Sequence, residues 1–197
     1  MNPHSFDILN VIVAILWLVF IVYWGISAVG VKKPVAGKGS WRGWALSRLA
    51  LAAILIALVK MRVFSQFWNF ADGLAFFNNG VVRIAGAVLT ALGIAFAVWA
   101  RRHLGRNWSG RATMKIDHEL VTSGPYQFVR HPIYTGVLAA LFGSGLVNGP
   151  FWMVVFVAGA LVFAWRIRVE ETYMMELFPD QYPAYRARTK ALIPAVW

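Results

Sequence analysis

Two short groups of residues carry the chemistry this sequence has to offer: Arg130-His131-Pro132-Ile133-Tyr134 and, more than thirty positions later, Arg166 with Glu170-Glu171. Arg166 and Glu170 are four apart, so on a helix they share one face. No Ser/His/Asp or Cys/His set accompanies them. The first group ends a longer stretch, His118 to Tyr134, that mixes titratable, aromatic and turn residues and lies between two segments made for lipid. A polar segment with such neighbours is held at a membrane surface, where a water-soluble reactant can meet a lipid-soluble one.

Plainer readings exist for each residue. Arg130 and His131 could be head-group contacts, Tyr126 and Tyr134 belt residues at the interface, and Arg166 with Glu170 a surface pair of a few tenths of a kcal/mol. Convergence favours a site, because ionisable groups at membrane depth are costly and tend to mark function.

The elements that position these groups follow from composition. Of the 197 residues 59% are hydrophobic and 14% charged, against about 25% charged in a typical soluble domain. The chain reads as a membrane protein. Its net charge of +11 lies in short gaps between apolar runs, which points to anionic membrane lipids and to orientation rather than to nucleic acid. Cysteine is absent, which removes disulfides, thiolate catalysis and cysteine-rich metal sites, and no metal is expected.

A bilayer core needs roughly 20 apolar residues in a helix. Phe6–Val29, Trp44–Val63 and Val81–Ala100 meet that need. Val31 to Ser40 reads as a loop and Gln66 to Asn79 as an interfacial connection. Small residues such as Gly86, Gly93 and Ala97 in the third span allow close helix packing. Thr122 to Tyr126 is a turn by its Ser-Gly-Pro content, and Lys115 to Val121 a short strand or helix. Pro132 suits the first turn of the next helix.

Ile133–Val147 and Phe151–Trp165, separated by Asn148-Gly149-Pro150, read as a tight hairpin of two short helices. The second continues as a charged helix beyond the membrane surface, with no breaker before Pro179. Because a hairpin returns its second arm to the level where the first began, His131 and Tyr134 should lie near Arg166 and Glu170. Lys60, Arg62 and Arg83 fall on one side of five such spans, and the other 16 of the 19 basic residues on the opposite side. The positive-inside rule then places the N-terminus outside and the C-terminus in the cytoplasm. The tail from Phe178 onward, basic and aromatic, should lie against the surface.

With those residues in view, Gly124-Pro125-Tyr126, Arg130-His131-Pro132-Ile133-Tyr134-Thr135-Gly136, a short hairpin, an Arg helix with Glu170-Glu171, and Phe178-Pro179-Asp180-Gln181-Tyr182-Pro183-Ala184-Tyr185 resemble the isoprenylcysteine carboxyl methyltransferase family. The likeness extends to the related phospholipid N-methyltransferases and covers Asn107 to Pro194. It departs at Pro179, where the family usually has Gly, and at Arg168-Val169, where some relatives are more acidic. The resemblance implies one all-α integral membrane domain over residues 1–197: three N-terminal spans over 1–100, then a catalytic connector, helical hairpin and tail over 101–197, with a cytoplasmic cofactor pocket.

It also implies S-adenosylmethionine as the methyl donor. His118, Glu119, Leu120 and Val121 would line its pocket, mostly through backbone. Tyr126 would pack on it, His131, Pro132, Ile133 and Tyr134 would close around it, and Arg130, Glu170 and Glu171 complete the binding set. Arg166 would face the acceptor carboxylate, so Arg166 and Glu170 are the pair expected to carry catalysis. An activated sulfonium methyl leaves the protein mainly the tasks of alignment and exclusion of water. A carboxylate acceptor, ionised at neutral pH, needs no general base. The acceptor implied is isoprenylcysteine-like, with a phospholipid amine or a small thiol as alternatives served by the same pocket. A sterol-reductase-like enzyme using a nicotinamide cofactor shares the Arg-His-Pro-x-Tyr pattern, but those chains are longer and nothing here resembles a site for a 2'-phosphate. A transporter or scaffold fits less well, since the spans carry little internal charge and no inverted repeat.

Overall fold

A computed structural model describes residues 7–27, 75–105 and 119–194. Within them α1 runs Ile8–Ser27, a short α2 Ala75–Asn78, α3 Gly80–Leu104, α4 Pro132–Asn148, α5 Pro150–Leu177 and α6 Tyr182–Arg188, with one 3-10 turn at Gly124–Gln127. The expected second span, Trp44–Val63, the loop before it, and His118 lie outside the described residues. Glu119, Leu120 and Val121 form irregular chain rather than strand or helix.

Helices α1, α3 and α5 are each long and apolar enough to cross a membrane. Ile8, Ile15, Leu18 and Ile21 on α1 and Val154, Val157 and Leu161 on α5 point outward, as a helix does when its surroundings are apolar. Helix α4 has 17 residues, about 26 Å at 1.5 Å per residue, just under the thickness of a hydrocarbon core. Three long candidate spans plus this shorter one account for four of the five expected.

Small residues set the central contact. Helices α3 and α4 pack so closely that a Cβ on Gly93 would lie 2.6 Å from Gly136 O, and one on Gly86 would lie 2.7 Å from Gly143 O. Close backbone approach of this kind gives association without a hydrophobic driving force between helices. Helix α1 crosses the pair, with Phe20 against Ile94, Ala97 and Ala140. The Trp17 indole donates to Ser144 Oγ at 2.9 Å, and Ser144 donates on to Ala140 O. At one end Arg83 pairs with Asp7 and donates to Val147 O at 3.2 Å. At the other, Arg101 donates to Ser27 O.

A single residue turns the hairpin. Gly149 ends α4 and caps α5 at φ 88°, a left-handed backbone that glycine adopts without penalty, and Pro150 starts α5 where no intrahelical N–H is needed. Helix α5 then runs unbroken to Leu177. Its charged third therefore stands beside the start of α4, as the hairpin geometry requires.

Candidate active site

Pro132 opens α4 and is fully buried, which anchors the position of His131 before it and Tyr134 one turn on. Across the hairpin, the Tyr134 hydroxyl donates to Glu170 Oε1 at 2.6 Å. Arg166 donates to the same oxygen from Nη2 at 2.8 Å and Nε at 3.2 Å, and its guanidinium carbon sits 5.8 Å from the centre of the Tyr134 ring. That ring lies between two others, parallel within 2° to His131 at 5.6 Å and within 10° to Phe163 at 4.4 Å. The second oxygen of Glu170, Oε2, faces His131 Nδ1 at 3.7 Å.

Glu171 follows Glu170 by one residue and so points about 100° around the helix. It meets a different set of partners. Arg130 donates to its Oε1 from Nε at 2.8 Å and Nη2 at 2.6 Å, His131 Nε2 lies 3.3 Å from the same oxygen, and Arg186 Nε reaches Oε2 at 3.2 Å. The imidazole of His131 thus stands between two carboxylates, one ring nitrogen toward each.

The tail is part of this structure and does more than lie on a surface. Arg130 N donates to Lys190 O at 2.8 Å, His131 N to Ala191 O at 3.0 Å, and Thr135 Oγ1 to Leu192 O at 2.8 Å. Arg130 Nη1 also donates to Thr189 O. The Tyr185 hydroxyl donates to Tyr126 O at 2.6 Å, and Tyr126, Tyr182 and Tyr185 are all buried. Burial pushes the Tyr185 hydroxyl up to about 12, against the lowering effect of Arg130 and Arg188. It pushes Tyr126, helped by Tyr185, and Tyr182, helped by Glu171, above the ordinary tyrosine range as well.

On the opposite flank His103, at the end of α3, lies 2.9 Å through Nε2 from Ser123 Oγ. Its ring stacks on Tyr126 at 6.3 Å. It also covers Gly124, whose φ is 59° and where a Cβ would fall 2.6 Å from the ring.

Among the residues singled out from sequence, the structure brings His131, Tyr134, Arg166 and Glu170 into one cluster, with Arg130 and Glu171 directly behind it. Tyr126 is buried in the adjoining turn, Ile133 is half-buried, and Glu119 is exposed while Leu120 and Val121 are half-buried ahead of that turn. Sequence reasoning did not single out Phe163, Arg186, His103 or the segment from Thr189 to Leu192. Phe163 was within reach, because Phe163, Arg166 and Glu170 fall at i, i+3 and i+7 on one helical face. The tail was not, since it binds largely through backbone groups that carry no side-chain signature.

Comparison with known proteins finds relatives of this chain. A family model described as phospholipid methyltransferase matches residues 81–181, a stretch that includes every site residue named above from Glu119 to Glu171. The chain is 31% identical over 148 residues to a Saccharomyces cerevisiae protein named protein-S-isoprenylcysteine O-methyltransferase, covering 73% of this chain and 61% of that one. Over 82 residues it is 37% identical to the protein of the same name from Schizosaccharomyces pombe, covering 41% of this chain and 35% of that one. The chain therefore spans less than two thirds of the length of these relatives. A solved structure described as a eukaryotic intramembrane Ras methyltransferase, isoprenylcysteine carboxyl methyltransferase, is 27% identical and covers 76% of this chain and 53% of its own, with a TM-score of 0.49.

Proposed function

The chain belongs to the phospholipid methyltransferase family, and from that membership we propose that it is an integral membrane methyltransferase using S-adenosylmethionine to methylate the carboxylate of an isoprenylcysteine-like lipid. The observation that carries this reading is the meeting of His131, Tyr134, Arg166 and Glu170 at one end of the α4–α5 hairpin. In it the chain is one five-span unit with its N-terminus outside and its C-terminus and site in the cytoplasm, in line with the distribution of basic residues.

The donor set suits the cofactor. Glu170 is a carboxylate with one oxygen, Oε2, that no hydrogen bond from the described residues occupies and a side chain 22% exposed, suited to a cationic group. His131, at the end of the stack it forms with Tyr134 and Phe163, would offer its outer face to an aromatic base or a sulfonium, with Tyr126 in the adjoining turn. Glu119, Leu120, Val121 and His118, with Pro132 and Ile133, complete the proposed lining, and Arg130 and Glu171 stand in its rear wall. Bound S-adenosylmethionine would supply a methyl group already activated on sulfur. The tasks left to the chain are to bind, to align and to keep water away.

Arg166 would turn its donors to the acceptor carboxylate, for which a planar guanidinium is the matching fork. A carboxylate is ionised at neutral pH and gives up no proton on methylation, so the cluster need supply no general base. A phospholipid, the acceptor class in the family's own description, methylated at an amine, is the second reading. It would have to shed protons and would meet an unhelpful positive charge in Arg166.

Calorimetric titration of the purified protein tests the cofactor: S-adenosylhomocysteine should bind and NADPH should not, and the reverse result overturns the reading. Transfer of labelled methyl to a prenylated cysteine with a free carboxylate, measured beside phosphatidylethanolamine and a small thiol, tests the acceptor. Methylation of the phosphatidylethanolamine alone would move the assignment to the second reading.

A further inference from the structure

Two neighbouring glutamates reach the same place in the fold with different access to a ligand. Among the described residues each takes its hydrogen bonds on Oε1. Glu171 is met by four nitrogens, Nε and Nη2 of Arg130 and Nε2 of His131 on Oε1 and Nε of Arg186 at Oε2. Its side chain is 8% exposed, and the Arg130 side chain that covers it is 9% exposed. Glu170 is 22% exposed, and its Oε2 meets only His131 Nδ1, at 3.7 Å, among the described residues. Glu171 is thus covered by two arginines from other segments, whereas Glu170 stays open.

We propose that Glu171 contacts neither reactant and is instead a positioning residue, which fixes the orientation and tautomer of His131 by accepting a hydrogen bond from its Nε2–H. The proposal deepens the methyltransferase reading and rests on it for the activity readouts only. Which imidazole nitrogen carries the proton is set by the hydrogen bond the other partners make. With Nε2–H held by Glu171, Nδ1 is turned toward Glu170 and the ring is kept parallel to Tyr134. The same carboxylate ties the loop at Arg130 to the tail at Arg186, so the backbone that bears His131 is held from two sides. Without the Glu171 charge the imidazole is free to turn over, and the face that His131 and Tyr134 present to Glu170 is no longer unique.

The test compares Glu171→Gln with Glu170→Gln in the full-length protein in detergent. The sequence has four histidines, so 15N labelling of histidine, with His131→Asn to assign the signal, reads the His131 tautomer directly. Wild type should show the Nε2–H form, and Glu171→Gln a mixture. For Glu171→Gln, kcat should fall about tenfold or more, the size of loss typical when the partner that orients a functional imidazole is removed. Its affinity for S-adenosylhomocysteine should stay within about threefold of wild type, while Glu170→Gln loses that affinity by more than about tenfold.

An affinity loss in Glu171→Gln equal to that in Glu170→Gln would overturn the proposal by making Glu171 a ligand. An unchanged tautomer would overturn it by showing that His131 does not depend on Glu171. Should wild type fail to bind S-adenosylhomocysteine at all, the methyltransferase reading falls, and the tautomer measurement still decides the positioning role. Should Glu171→Gln fail to fold, Glu171→Asp keeps the charge for Arg130 but withdraws the oxygen from His131 by one methylene. It should show the same mixture of tautomers and the same split between kcat and affinity.

Discussion

The hydroxyl of Tyr134 and Oε1 of Glu170 are 2.6 Å apart, a hydrogen bond that joins the first turn of α4 to the charged third of α5. Tyr134→Phe keeps the ring on Phe163 and removes only this bond. A hydrogen bond to a charged group contributes about 1.5–3 kcal/mol when well buried, and Glu170 is partly exposed. Affinity for S-adenosylhomocysteine should therefore fall by roughly tenfold, about 1.4 kcal/mol. Calorimetric titration checks this, and an unchanged affinity would mean that the bond does not prepare Glu170 for a ligand.

Glu170 and Arg166 are joined by two hydrogen bonds but should fail in different ways. Glu170→Ala is expected to bring cofactor affinity down by roughly a hundredfold or more, since about 2.7 kcal/mol corresponds to the loss of one charged contact. Arg166→Ala should leave that affinity and remove turnover, because Arg166 is assigned to the acceptor. Binding and methyl transfer measured side by side on both variants decide the matter, and equal loss of both properties in each would remove the division of roles.

Helix contact makes a prediction about stability. A Cβ on Gly136 would sit 2.5 Å from Gly93 O and 2.7 Å from Ala97 N, both backbone atoms that cannot swing aside. Gly136→Ala should cost about 1–3 kcal/mol by overpacking, visible as a lowered thermal midpoint in detergent. Gly25→Ala on α1, where a Cβ meets nothing within 4 Å, is the control and should show no loss.

Alkaline pH should release the tail. The Tyr185 pKa is raised by burial from the ordinary value near 10 to about 12, so the folded state holds a proton that the unfolded chain gives up earlier. The stability this contributes is fully present below pH 10 and is lost as pH rises from 10 through 12. Tyr126 and Tyr182 are raised in the same direction. Absorbance of tyrosinate should accordingly show a late-titrating group that coincides with loss of structure, and Tyr185→Phe should remove part of it. Titration of every tyrosine near pH 10 in the intact protein would contradict the burial of this group.

Local patterns in the chain were enough to determine a good deal. Apolar runs at Phe6–Val29, Trp44–Val63 and Val81–Ala100 are long enough for lipid, Asn148-Gly149-Pro150 can only turn, and a four-residue spacing places Arg166 and Glu170 on one face. Since a hairpin's arms must return to the same level, His131 and Tyr134 were already committed to that neighbourhood. Periods, breakers and spacings are properties of neighbouring residues, and such properties survive in a string of letters.

Tertiary structure alone decided how the charges divide. Glu170 and Glu171 are the same residue type one position apart, and beyond the spacing of four from Arg166 to Glu170 nothing local says which partners each will meet. Their difference comes from Arg130, which is 41 positions from Glu171, and from Arg186 on the returning tail. Lys190 and Ala191 hold the loop through carbonyl oxygens that every residue possesses, so no choice of side chain announces the contact. Where an interaction depends on three distant segments meeting at a single carboxylate, the packed molecule is needed to say which glutamate is covered and which stays open to a ligand.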